Sequence, residues 1–403
     1  MERRKRRSFN AEFKAEAFRD RSGGSHPLLQ GILCLPRRTR GSESHLEFEG
    51  IDHLELYVAQ LEDATERFCS GLGFHVASRS GPSLLLQQGH IRVVLTQALS
   101  DSDEVAEYVA RHGEGVKDVA LRTRDAAAAF HEAVRRGAIP VREPRVYTGP
   151  HGRLVRATVA SPVGDLVHSF IQREAPEHDF WPGLFQPTAR FVPKREFLRS
   201  LDHVALCLMP GTLQPTVEAY ARIFGLRQSH EENVETQYGG MNSKVMQDAS
   251  GRVCFPMQEP RSGKLPGQID RFLENHRGPG VQHLAFHTDD LLEAVRGLRE
   301  REVVFLDAPP GYYEAMPARV GPVKEDLEVL RAQGILVDRE GEGYLLQIFT
   351  RSTHPRRTFF FELIQRQRAL GFGGANVRAL YLSVEQEMLR KEREARGPGA
   401  PSA

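Results

Sequence analysis

At 403 residues, with 40% apolar and 27% charged residues, the chain has the composition of a soluble globular protein with room for two or three domains. A formal net charge of +1 excludes a general electrostatic attraction to nucleic acid or to a membrane surface. No apolar run approaches the ~20 residues of a spanning helix, so neither a membrane nor nucleic acid is expected as a partner.

Residues 1–48 read as a basic tail outside the fold, with RRKRR (3–7) and RRTR (37–40) separated by Ser/Gly-rich runs. The stretch RRSFNAEFKAEAF resembles the opening of insertion-sequence transposases, but the pattern does not continue. A tail or a misplaced start codon is therefore expected rather than a DNA-binding unit. The opening lacks an apolar h-region, and the four cysteines (Cys34, Cys69, Cys207, Cys254) are scattered without a CxxC. Free thiols in a cytoplasmic protein, and no zinc site, are the expectation.

From Ile51 the pattern becomes regular. IDHLELYV alternates like a strand, residues 61–74 have helix spacing, and SLLLQQG and IRVVLTQ read as strands. GVKDVALRT repeats the opening strand, residues 125–137 form a helix stopped by Gly137, and LVHSFIQR closes the unit. A proline-rich stretch follows, expected to link domains over 177–198. LDHVALCL then restarts the plan, with a helix over 216–226. VQHLAFHT restarts it again, with a helix over 290–302 and closing strands YLLQIFT and FFFELIQR. The expected fold is α+β, built from tandem βαβββ modules in two barrel-like halves. The expected boundaries are 49–176 for the first half, 199–372 for the second, and 373–403 for a C-terminal helix and tail.

The halves line up as related copies. IDHLELYV matches LDHVALCL, GVKDVAL matches GVQHLAF, and HSFIQR matches FELIQR. His203, His283 and Glu362 thus fall on three strands of the second half, at the positions matched by His53, Asp118 and Ser169 in the first. Burying an unpaired His or Glu costs on the order of several kcal/mol, so three such strands suggest a shared partner. Two imidazoles and one carboxylate on one side of an ion leave its other side open, the usual setting of non-haem Fe(II). Ser169 is a poor ligand, so the second half should carry the metal and His53 should be a core histidine. The plain alternative is three unrelated core residues.

The motifs PGQIDRFL (266–273), GPGVQHLAF (278–286), APPGYYE (308–314), GILVDREGEGYLLQIFT (334–350), FFFELIQRQ (359–367) and GFGGANVRALY (371–381) point further. Residues 51–385 resemble the 4-hydroxyphenylpyruvate dioxygenases and their sister 4-hydroxymandelate synthases, within the vicinal oxygen chelate superfamily. The resemblance implies Fe(II) held by His203, His283 and Glu362, a 2-oxo acid substrate oxidised by O2 with loss of CO2, and a homo-oligomer (dimer or tetramer). It assigns Gln268, Gln282 and Gln347 to catalysis, and Ser243, Pro256, Gln258, Phe349, Phe372, Asn376 and Val377 to substrate binding. Gln282 neighbours a ligand on its strand, so it should point away and act from behind. Two departures bear on the product. Pro256-Met257-Gln258-Glu259 stands where the dioxygenases carry Pro-x-Asn-Glu, which leans to the dioxygenase. Val377 stands where they carry a stacking Phe, which leans to the synthase. The product expected here is 4-hydroxymandelate, with homogentisate the alternative. A lid is expected from a helix over 375–394.

Overall fold

The computed structural model describes residues 46–379 and 382, apart from 175–178, 189–194, 236–239, 262–265 and 310. The basic tail up to residue 45, and all but the first turn of the expected lid helix, lie outside the described residues.

Two mixed sheets carry the fold. The first contains β1 (Gly50–Val58), β2 (His75–Ser80), β3 (Ser83–Gln88), β4 (Ile91–Gln97), β5 (Gly115–Arg122), β6 (Pro140–Gly149), β7 (Gly152–Ala160), β8 (Val167–Arg173) and β9 (Gln186–Pro187), in the order β6-β7-β8-β5-β1-β4-β3-β2-β9. The second contains β10 (Ser200–Cys207), β11 (Arg227–Glu235), β12 (Gly240–Gln247), β13 (Cys254–Arg261), β14 (Gly280–His287), β15 (Leu336–Glu340), β16 (Gly343–Phe349) and β17 (Phe360–Gln367), in the order β11-β12-β13-β10-β14-β17-β16-β15. The helices are α1 (Leu61–Glu66), α2 (Glu104–His112), α3 (Ala126–Arg135), α4 (Leu213–Phe224), α5 (Gln268–His276), α6 (Leu291–Arg299), α7 (Tyr312–Val320) and α8 (Leu327–Ala332). Residues 374–379 are also helical.

The chain therefore runs through four βαβββ modules: β1-α1-β2-β3-β4, β5-α3-β6-β7-β8, β10-α4-β11-β12-β13 and β14-α6-β15-β16-β17. The last takes α7 and α8 as an insertion. The copies agree in their local chemistry. Asp125 caps α3 by accepting from Ala128 N, and Asp290 caps α6 by accepting from Glu293 N. Behind them, Gln172 and Gln365 accept the first helical N–H, from Ala126 and Leu291. Such caps satisfy donors that a helix start leaves open, each worth about 1 kcal/mol.

The main core lies between sheets and helices and joins the two halves. Phe74 meets Phe286 at 6.0 Å and Phe68 meets Phe361 at 5.4 Å between ring centroids. A fully buried Leu or Phe of this kind, such as Leu54, Phe170 or Phe286, contributes about 1.5–3 kcal/mol. A second cluster fills the concave face of the first sheet, where Phe180, Trp181 and Phe185 pack on Leu154 and Ile171. The corresponding face of the second sheet is not filled in this way; it holds the cavity described next.

Candidate metal centre and its cavity

β10, β14 and β17 are neighbours in the second sheet. His203 pairs with Ala285, Ala285 pairs with Glu362, and His283 pairs with Ala205. His203 and Glu362 thus stand two strand spacings apart, about 9.6 Å. They meet above Ala285 because a methyl group leaves the space between them free.

Glu362 Oε2 lies 3.3 Å from His203 Nε2 and 3.5 Å from His283 Nε2, and all three side chains are buried. One ligand atom from each falls within 4.8 Å of the others. The far side of each ligand is held. A bulge between Leu201 and His203 turns Asp202 toward its neighbour, and Asp202 Oδ1 sits 2.8 Å from His203 Nδ1. Arg366 donates twice to Asp202, at 2.7 and 2.8 Å. His283 stacks on Phe360 at 4.8 Å, with Gln282 Oε1 3.3 Å from its Nδ1. Gln347 Nε2 donates to Glu362 Oε1 at 2.8 Å, and Asn376 Nδ2 donates to Gln347 Oε1 at 2.9 Å.

The electrostatics favour positive charge beside Glu362. Burial works to raise the Glu362 carboxyl, but the two imidazoles outweigh it and hold the group down at about 2. Burial works to lower His203, yet Glu362 and Asp202 draw it up to about 9. Burial prevails at His283, which is pushed below its ordinary value. Two imidazole nitrogens and one carboxylate oxygen converge from one side only, and the other side faces a cavity. That donor set fits a divalent ion with open coordination positions.

The cavity holds about 580 Å³ of atom-free space. Of the residues expected from the sequence, Ser243, Pro256, Gln258, Gln347, Phe349, Phe372 and Val377 line it together with the three ligands. Gln282 stands behind the wall, accepting from Gln258 Nε2 at 2.6 Å. Asn376 is also behind it, buried between Gln347 and the Tyr312 hydroxyl. Gln268 opens α5, buried, with its Oε1 unpaired. Phe372 packs edge-on to His203 at 5.3 Å. Val377 packs against the apolar cluster that contains Cys207, Met241, Ile269 and Phe272.

Six further residues line the cavity that were not among those expected: Ala205, His230, Glu232, Met241, Val245 and Gly374. His230 and Glu232 lie on β11, an edge strand exposed along most of its length, so hydrophobic alternation is absent there. The alternation His-x-Glu-x-Val over 230–234 was the available signal. His53 sits in the first half as a buried histidine. Its Nδ1 is 2.8 Å from Asp52 Oδ1 and its ring edge lies against Phe180. Among the described residues Cys69, Cys207 and Cys254 are free, and no helix is long and apolar enough to cross a membrane.

Comparison with known proteins places this geometry. Residues 43–180 match the family described as "Hydroxyphenylpyruvate dioxygenase, HPPD, N-terminal". Residues 200–317 match the "Glyoxalase/Bleomycin resistance protein/Dioxygenase superfamily". The 4-hydroxyphenylpyruvate dioxygenase of Dictyostelium discoideum is 32% identical over 84% of this chain and 98% of its own length. That of Danio rerio is 32% identical over 87% and 92%. A triple mutant of 4-hydroxymandelate synthase from Streptomyces coelicolor superposes with a TM-score of 0.76 at 37% identity, covering 85% of this chain and 99% of its own. Likeness over nearly the whole length of such relatives, with the His-His-Glu centre intact, makes this chain a member of the 4-hydroxyphenylpyruvate oxygenase family, on the glyoxalase-like vicinal oxygen chelate fold.

Proposed function

We propose that the chain is an Fe(II) oxygenase that decarboxylates 4-hydroxyphenylpyruvate with O2 and releases homogentisate. The observation that carries the oxygenase reading is the buried His203–His283–Glu362 centre opening on one side into the cavity. The curated relatives, named as dioxygenases and matched over 84–87% of this chain, support homogentisate.

His203, His283 and Glu362 would hold the iron, which when bound supplies the activation of O2 and an anchor for the 2-oxo acid. Two neutral imidazoles and one carboxylate leave such a centre with net positive charge, which suits an anionic substrate. Gln347 occupies Glu362 Oε1, so Glu362 offers Oε2 alone to the ion. Ser243, Gln258 and Gln347 add hydrogen-bonding groups without adding charge beside the centre. Phe349 and Phe372 give the ring flat apolar walls. The cavity's shape then decides which carbon of the substrate is oxidised.

A second reading, 4-hydroxymandelate as product, rests on Val377. This side chain lines the cavity but has no ring to stack, so the substrate ring has room to shift and present its benzylic carbon. The solved synthase at 37% identity supports the same reading. The two products are isomers, so mass alone does not separate them. Incubation with Fe(II), ascorbate, O2 and 4-hydroxyphenylpyruvate, followed by chromatography against both standards, tests the proposal. Homogentisate as the main product is expected, and 4-hydroxymandelate as the main product replaces it with the second reading.

A further inference from the structure

The two halves share one strand register, including two bulges in the first pairing of each. That register matches His53 with His203, Asp118 with His283, Ser169 with Glu362, Glu55 with Ala205 and Arg156 with Gln347. The Asp–Arg support behind the histidine is duplicated as well. Arg173 donates to Asp52 at 3.0 and 2.6 Å, as Arg366 does to Asp202.

The difference lies on the concave face. In the second half, β16 presents the neutral Gln347 beside the metal ligands. In the first half the matched residue is Arg156, and its guanidinium reaches the ligand positions themselves. Arg156 Nη2 lies 3.0 Å from Asp118 Oδ2, Nε donates to Ser169 Oγ at 2.9 Å, and Glu55 Oε2 is 3.8 Å away. Asp118 and Ser169 are fully buried. Trp181 covers the group, its ring 5.1 Å from the guanidinium carbon and 6.2 Å from the His53 ring. A buried carboxylate such as Asp118 requires a positive partner at this depth.

We propose that the Arg156 guanidinium is the resident cation of the first half, seated where the second half holds its metal, and that its removal leaves Asp118 and Glu55 to draw a divalent cation into its place. The inference rests on His203, His283 and Glu362 being a metal site. It accounts for why the first half needs no metal although its strands keep the same geometry. An aromatic plug and a tethered cation replace an open cup and an exchangeable ion.

The test is equilibrium dialysis of the full-length protein against Mn2+, followed by metal analysis, together with thermal unfolding in chelator and in Mn2+. Wild type should bind one ion per chain. Arg156→Gln, which installs the amide of the matched position, should bind two, should melt below wild type in chelator, and should recover more than wild type on adding Mn2+. Arg156→Gln with Asp118→Asn should return to one ion, because the anion that calls for the cation is gone. If Arg156→Gln alone does not fold, the double variant should fold and restore the signal of a native chain. A folded Arg156→Gln that still binds one ion and is as stable as wild type in chelator overturns the proposal, as does a double variant no better folded than the single. A wild type that binds no ion overturns instead the metal reading of the second half.

Discussion

Gln347 Nε2 donates to Glu362 Oε1 at 2.8 Å across the β16–β17 pair, which leaves Glu362 Oε2 to face both imidazoles. The amide therefore fixes which carboxylate oxygen is offered to an ion. Removing it by Gln347→Ala should free the carboxylate to rotate. Metal affinity should fall by about 10- to 100-fold, the usual cost of losing a partner behind a ligand. Competition against a chelator of known affinity measures this.

Asp202 and Asp52 hold matched histidines, but only one of those histidines is a ligand. Asp202→Asn should weaken metal binding, because His203 loses the carboxylate that orients its ring. Asp52→Asn should leave bound metal unchanged and lower stability. It breaks a pair with Arg173 in which both side chains are almost fully buried, a loss of about 3–5 kcal/mol. Metal per chain and denaturant midpoint, measured on both variants, separate the two roles.

The buried His276 makes stability depend on pH. Burial, helped by the neighbouring His112, holds its imidazole down to about 4 in the folded chain, against 6.5 ordinarily. Between those values the unfolded chain binds more protons, so stability should be full above about 6.5 and fall as pH drops toward 4. His276→Phe keeps a ring for the stack with Phe272 but cannot be charged. Its loss of denaturant midpoint between about pH 8 and pH 5 should be smaller than that of wild type. Some slope should persist, since His354 is also held at about 4 by burial and by Arg67.

Val377 should influence the product. A stacked ring contributes about 0.5–1.5 kcal/mol, and 1.4 kcal/mol is tenfold in a rate ratio. Val377→Phe should therefore raise the ratio of homogentisate to 4-hydroxymandelate by about two- to tenfold. Gln258→Asn, which only shortens an amide, should move it less. Quantifying both products by chromatography checks this, and an unchanged ratio in Val377→Phe would make the side chain neutral packing.

What the sequence disclosed follows from how strongly each segment is patterned. Strands buried on the central part of each sheet, such as those of His203 and His283, repeat their apolar neighbours and aligned readily. The edge strands did not. β6 is exposed along most of its length and carries Pro140 and Pro144, and β11 is mostly Gln, Glu and His. Neither has an apolar face to read. The plug residues Phe180 and Trp181 belong to no regular element, so their burial left no period. The ligand triad was legible because polar residues interrupt apolar strands. Arg156 was not, because nothing in GRLVRATVA tells which face of the strand is enclosed.

The most direct measurement counts O2 consumed and CO2 released with 4-hydroxyphenylpyruvate, alongside iron content, in wild type and Glu362→Ala. Iron-loaded wild type should consume O2 and release CO2 one for one, and folded Glu362→Ala should lose bound iron and both activities together. Wild-type turnover by Glu362→Ala, or no substrate-dependent O2 uptake by iron-loaded wild type, would contradict the account.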